Sequence, residues 1–515
     1  MIRGRGDLWG VPGAENRREP GRSTLVAGVA AMLLAWAPAE PLEGQSFRIT
    51  GNTNVRYVDV RPLVRDSVPA EEVAGRGLLR QRPDGQVIRC APGAQFCRGT
   101  RPGPTVSTVP GTQDLEVSAW GFGQGIRLHG QLRGRASWGG HPDLWPRAGD
   151  AVDLLAAFGE VDRERFRVRL GRQWKVSGLG FYNFDGLAAT FRPTVEGLSL
   201  EGYAGRSLVR GLNEPRTGEA LEAIEELAPT EPGLVFGGEA RYRPSPRLNV
   251  GALYHRDIRD DRAGLYSELA RADGVFRYGM ASVEAAVEAD VAARELNEAR
   301  LRVRGPPVRS FSLAGEVRRY RPYFELWTIW GAFSPVGFDE SRMDLTWTRP
   351  QGDVVVRGEV AYRSYDDTGM DVGLGDFRTT GWRLGGNASW SPAAAWRVES
   401  GGRVEIGFGA ASRQVQGRVM RRFGDRGFVA LRALAFDQLY EFRLDEGAVV
   451  GAGAESSYRI TDRARVVAGL TGYRHLNQGP TPRADWTQLR GNLRVQWVVG
   501  SEPEVRLERG REGLR

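Results

Sequence analysis

The sequence predicts an all-β chain closed into a transmembrane, antiparallel up-and-down β-barrel of about 22 strands, within a range of about 18 to 22. Three observations carry that expectation. Apolar and polar residues alternate with period two along nearly the whole chain, as a strand with two unlike faces requires. Tight turns rich in Pro, Gly and Asp recur at one end of the implied hairpins, while longer and more varied connections join the other end. After residue 40 no run of 18 or more apolar residues occurs, so a membrane-spanning helix is not expected.

Composition alone leaves the class open. With 515 residues, 69 of them glycine, 41% hydrophobic content and a mean hydropathy of -0.39, the chain would also suit a soluble protein. Of 71 basic residues only Lys175 is a lysine, the other 70 being arginines against 63 acids. G+C-rich codon usage accounts for that bias without a functional cause. The formal net charge of +8 is compatible with nucleic acid, membrane surfaces or anionic solutes. Nucleic acid is not expected as a partner, because zinc spacing and clustered basic helices are absent and acids interleave with the arginines.

Taken in order, residues 1–39 read as a secretory signal peptide. Arg17, Arg18 and Arg22 precede the apolar run TLVAGVAAMLLAWAPA, and Ala37-Pro38-Ala39 supplies the small-residue cleavage pattern. Residues 40–499 are assigned to the barrel and 500–515 to a polar tail. The first strand lies in FRITGNTNVRYVDVR, and a long loop, 62–112, follows it. Its two cysteines, Cys90 and Cys97, are the only ones in the chain and are expected to close a disulfide hairpin, since an exported chain meets an oxidising compartment. A metal pair is disfavoured there because no histidine stands nearby. GFGQG (121–125) makes a turn at the opposite end.

Alternation then recurs. In RFRVRLGRQW, Phe166, Val168 and Leu170 alternate with Arg165, Arg167 and Arg169; in VVVRGEVAYR, Val354, Val356, Val360 and Tyr362 alternate with Arg357, Glu359 and Arg363. Tight turns are expected at 192–197, 243–247, 272–274, 305–310, 349–353, 391–395, 423–427 and 459–464, and longer connections at 140–150, 208–232, 320–337, 364–376 and 476–484. VEAAVEADVAARELNEARL has the composition of a helix, but Val283, Ala285, Val287 and Ala289 fall on one period-two face, so strands are expected; a helix is expected instead at TGEALEAIEELAP, inside a long loop. The last strand, LRGNLRVQW, sets Leu489, Gly491, Leu493, Val495 and Trp497 against Arg490, Asn492, Arg494 and Gln496.

Short turns at one rim and long loops at the other, with strands of about ten residues, resemble a Gram-negative outer-membrane porin-like β-barrel. Within the chain, LGRQWKVSGLGFYNFDGLAATFRP, with GRQ at 171–173 and FDG at 184–186, is similar to a hairpin of alginate-export-type porins. The resemblance implies the cell outer membrane as location. It also implies outer-membrane lipid, lipopolysaccharide and the barrel-assembly machinery as partners, and small polar or anionic solutes as cargo. A plug domain is not expected, because alternation starts almost directly after the signal; the oligomeric state is left open.

In such a barrel the polar face is the lumen, so Arg167, Arg169, Arg241, Arg302, Arg357, Glu359, Arg363, Arg403, Glu405, Arg490 and Arg494 are the expected pore lining. Their charge implies either a weak anion preference or ladders of ion pairs that stiffen the wall. VRRYRPYFELWTIWGAF gathers Tyr320, Tyr323, Phe324, Trp327 and Trp330, which form either a constriction folded into the barrel or an aromatic belt at the membrane surface. Catalysis is not expected: GxSxG, HExxH and Walker patterns are absent and GFGQG lacks dinucleotide spacing. His475 near Asp485 is the best acid-base pair the chain offers. Cofactors and metals are not expected. The function implied is a channel, with a non-conducting binding barrel and a rim-located enzyme as the other readings.

Overall fold

The computed structural model describes residues 46–75, 79–82, 87–123, 125–139, 151–208, 233–259, 264–321, 337–366, 379–407, 410–441, 447–477 and 485–501. Within them, 22 strands form a single sheet. Each pairs antiparallel with the barrel strand before it and the one after it. The sheet closes where the first strand, Ser46–Val60, pairs with both the last, Trp486–Gly500, and the second, Val106–Trp120. Closure removes every free edge, which a sheet surrounded by lipid needs because hydrocarbon offers no partner to a bare N–H or C=O.

Strand lengths run from 10 residues, in Ala281–Asp290, to 15, in Ser46–Val60. The alternating pattern decides which face each residue takes. Leu170, Leu187, Leu301, Val317, Leu384, Val415, Leu431 and Leu493 stand exposed on the outer face. Between them along the same strands lie arginines, acids and amides on the inner face. The register of the last strand with the first sets Leu493 opposite Val55 outside and Arg494 opposite Asn54 inside. This is the inverse of a soluble protein, and it places the apolar band where lipid would be and the charge where water would be.

At one rim the connections are tight. Two-residue turns join strands at 246–247, 394–395 and 462–463, and slightly longer ones lie at 192–197, 305–310, 349–353 and 423–426. The turn expected at 272–274 is not one. The strand Gly264–Tyr278 runs through it and turns at 279–280, where Gly279 takes a φ of 58°. Asp273 is held on the inner face by Arg241, so the Ala-Asp-Gly run is a ladder rung whose polarity belongs to the lumen. VEAAVEADVAARELNEARL forms two strands, Ala281–Asp290 and Glu295–Arg304, joined by a four-residue turn. Val283, Ala285, Val287 and Ala289 face outward there, so cross-strand pairing and one-sided burial override helix propensity. The expected helix at 217–229 lies outside the described residues.

Between the first and second barrel strands stands a separate four-stranded sheet in the order Leu63–Pro69, Phe96–Pro102, Val87–Arg89, Leu79–Gln81. Cys90 and Cys97 form a disulfide, and both sulfurs are buried with Ile88, Val68 and Val73. So small a sheet has little apolar area to bury, and the covalent staple makes up for it.

Candidate functional site: the inner wall and its inward hairpin

All of the expected lining residues, Arg167 to Arg494, alternate onto the inner face, and most are tied into chains of ion pairs. On one side of the wall Arg302 reaches Asp344 at 3.1 Å, Arg342 bridges Asp344 (2.7 Å) and Glu359 (2.9 Å), and Glu359 also meets Arg383 (3.3 Å) and Arg403 (3.5 Å). Next to them Arg363 sits between Glu340 (2.5 Å) and Glu405 (2.7 Å). Around the barrel, Glu160 takes Arg169 at 2.7 Å and Arg167 at 3.8 Å, while Arg241 pairs with Glu239 and with Asp273. Arg490 donates to Gln488 and lies over the Tyr473 ring at 5.1 Å.

A smaller set of arginines is not neutralised. Among the described residues Arg304, Arg357 and Arg494 take part in no ion pair. Arg304 and Arg357 line a cavity of about 630 Å³ in the wall together with Arg302, Arg342, Arg403, Asp344, Glu359, Asn387 and two glutamines. Five guanidinium groups face two carboxylates there, a local excess of three positive charges.

Sequence reasoning missed the most distinctive element of the lumen. The strands Phe166–Ser177 and Gly180–Phe191 pair with each other along their full length. Their outer neighbours let go halfway: the strand before pairs only as far as Arg172, and the strand after only as far as Phe184. The upper half of this hairpin, 172–185, held by its neighbours only at its base, then makes contacts that a straight hairpin could not reach. Lys175 stands opposite Tyr182, yet its Nζ lies 2.7 Å from Glu201 and 2.9 Å from Glu239, and Glu201 is in register with Thr190, eight residues further along the same strand. Eight residues of strand span about 26 Å. The hairpin must therefore fold back over the lumen and lie down along the inner wall.

Every contact of that half agrees. The Tyr182 ring stacks on His255 at 3.5 Å, and Tyr203 hydrogen-bonds His255 Nδ1 at 2.9 Å. Leu179, at the tip, buries itself with Leu253 and Leu269, and Phe184 packs with Tyr203 and Val235. All of these wall residues belong to inner-face positions. The bend needs glycine at its base. Gly171 has a φ of 128° and is cross-strand partner of Gly186; a Cβ on Gly171 would stand 2.3 Å from the Ala157 carbonyl oxygen, and one on Gly186 2.1 Å from that of Ala204. Arg172 and Asp185, just above, form a two-pronged pair at 2.8 Å on the other face. The glycines of GRQ and FDG and the chain's single lysine were the visible signals. What they lacked was any indication of which wall the hairpin would meet.

Of the aromatic group expected to narrow the pore, Tyr320 ends the strand Phe311–Tyr320, with Arg318 lying 4.0 Å over its ring; Tyr323, Phe324, Trp327 and Trp330 lie outside the described residues. His475 does not assemble with Asp485. It stacks on Trp486 at 4.2 Å and hydrogen-bonds Gln488, while Asp485 is bridged by Arg474 at 3.3 Å. Among the described residues no group of His, Cys, Asp or Glu is placed to hold a metal ion.

A closed barrel of 22 strands with an apolar exterior, a charged lumen and a hairpin folded inside decides the architecture. The fold is that of an outer-membrane porin-like β-barrel. Solved structures similar to it include a BenF-like porin from Pseudomonas fluorescens Pf-5, at 10% identity and a TM-score of 0.41 over 89% of this chain and 99% of that one. OpdQ from Pseudomonas aeruginosa is similar at 11% identity and a TM-score of 0.38, over 89% of this chain and 99% of that one. The outer membrane protein OpdK from the same organism is similar at 10% identity and a TM-score of 0.37, over 88% and 98%. No family model and no curated protein matches the chain.

Proposed function

We propose that this barrel is an outer-membrane channel for the passive, weakly selective diffusion of small polar solutes, with a preference for anions. The observation that carries the reading is the uncompensated positive charge of the inner wall, where Arg304 and Arg357 join Arg302, Arg342 and Arg403 against only Asp344 and Glu359. An arginine that faces the lumen without a carboxylate partner stabilises a passing anion and repels a cation. The paired arginines serve a different purpose. Their ladders hold the wall rigid and keep the lumen hydrated without adding net charge. Outside, the apolar band meets lipid and, at the long-loop rim, the headgroup region. The chain is read as a channel, not an enzyme, because its ionisable groups are arranged as a lining and not as a nucleophile-base pair.

The test is single-channel recording of the refolded mature chain in planar bilayers under a salt gradient. A steady open conductance whose reversal potential reports anion preference is expected, and Arg304→Glu with Arg357→Glu should move that potential towards the cation side. A folded, heat-modifiable barrel that never conducts would sink the reading and leave a binding barrel in its place.

A further inference from the structure

Folding the hairpin 172–185 over the lumen turns it upside down. The face that carries Gln173, Lys175, Tyr182 and Phe184 lies on the wall, so the opposite face, which below the bend looks outward to lipid, here looks into the pore. That face carries Trp174 opposite Asn183 and Val176 opposite Phe181. Trp174, Val176 and Phe181 are 47%, 63% and 55% exposed, and the Trp174 and Phe181 rings lie 6.2 Å apart. An apolar surface in this position cannot be a lipid contact, because the hairpin has left the wall. Among the described residues none covers it, so water and solutes in transit meet it.

We propose, resting on the channel reading above, that Trp174, Val176 and Phe181 are specificity-determining residues that favour small anions bearing an apolar ring or chain. The arginine wall supplies the attraction for the charged end of such a solute, and the hairpin supplies a surface from which its apolar end displaces water. A solute with charge alone gains only the first. Lys175 with its two glutamates, the Tyr182–His255 stack and the Leu179 cluster hold the hairpin down on its other face, so the apolar face is presented on a fixed support.

The experiment compares two carboxylates of equal charge, phenylacetate and acetate, as blockers of chloride current through the full-length mature barrel. Phenylacetate is expected to half-block at a concentration about tenfold lower than acetate, the factor that partial burial of one phenyl ring supplies. Trp174→Ala with Phe181→Ala should bring the two to within about twofold in a barrel that still conducts chloride. Val176→Ser, a milder change at an exposed position, should reduce the ratio by about threefold and covers the case in which the double variant does not fold. An unchanged ratio in a variant that still conducts anions overturns this inference and leaves the channel reading standing. Absence of any conductance in the unaltered barrel overturns both.

Discussion

Lys175 ties the inward hairpin to the wall. Every other basic side chain is arginine, yet this one must place a single compact charge between Glu201 and Glu239 while lying under a folded hairpin. An ammonium with three rotatable donors fits there; a planar guanidinium, built for two-pronged pairing, needs more room. Lys175→Ala removes two charge-assisted hydrogen bonds, worth about 1–3 kcal/mol together after allowance for partial exposure. The expected outcome is a hairpin that leaves the wall for part of the time, read in bilayers as a larger and noisier conductance from a barrel that still folds. Gly186 acts at the same scale but on folding itself. Gly186→Ala drives a Cβ into the Ala204 carbonyl, and a cost of about 3 kcal/mol or more is expected. Loss of the compact, heat-modifiable band in detergent electrophoresis measures it, and an unaffected band would show that the bend tolerates a side chain.

Elements in this molecule are stabilised by unlike means. Barrel strands depend on closure, each hydrogen-bonded on both sides, and on the outward apolar rows that lipid covers. The four-stranded sheet at 63–102 instead rests on five buried side chains, two of them the Cys90–Cys97 disulfide. Replacing both cysteines by serine should loosen that sheet alone. Faster tryptic cleavage is expected at Arg80, Arg82 or Arg89, with the barrel's own resistance to trypsin and its thermal transition unchanged; a fall in the barrel transition would mean that the small sheet supports the wall. The local loss is of the order of 2–3 kcal/mol for a short closed loop. The hairpin 166–191 is the one barrel element that divides in two. Its lower half is wall and its upper half is lumen, and the boundary is the Gly171–Gly186 pair.

At the scale of the whole molecule the balance between paired and unpaired charge sets the electrical behaviour. Most inner-face arginines are spent on neighbouring acids, so the anion preference proposed for the pore would rest on those that are not, and it should be sensitive to salt. The screening length falls from about 10 Å at 0.1 M to about 3 Å at 1 M. The anion-to-cation permeability ratio should therefore decline as salt rises over that range, measured as reversal potential at a constant gradient. A ratio independent of salt would place the selectivity in a tight steric contact and not in the field of Arg304 and Arg357.

The architecture was legible in the sequence for a simple reason. A strand between lipid and water must alternate, so Leu489-Arg490 to Val495-Gln496 state their own two faces, and VEAAVEADVA does so against its helix propensity. Strand number and the alternating direction of the strands follow from counting such segments and their turns. Pairing of charges was not legible, because Arg363 meets Glu340 and Glu405 across strands separated by more than twenty residues, and only register decides that. The turn misread at 272–274 has the same origin: Asp273 and Gly274 look like a turn until Arg241 is seen opposite them. The inward hairpin depended on tertiary structure entirely. Alternation in 172–185 continues unbroken through the bend, so the sequence marks Trp174, Val176 and Phe181 as outward-facing, and it is the folding of the hairpin onto His255, Leu253 and Glu239 that turns them towards the pore. Period two tells which residues share a face; what that face meets is settled by where the chain bends and by the wall it lands on.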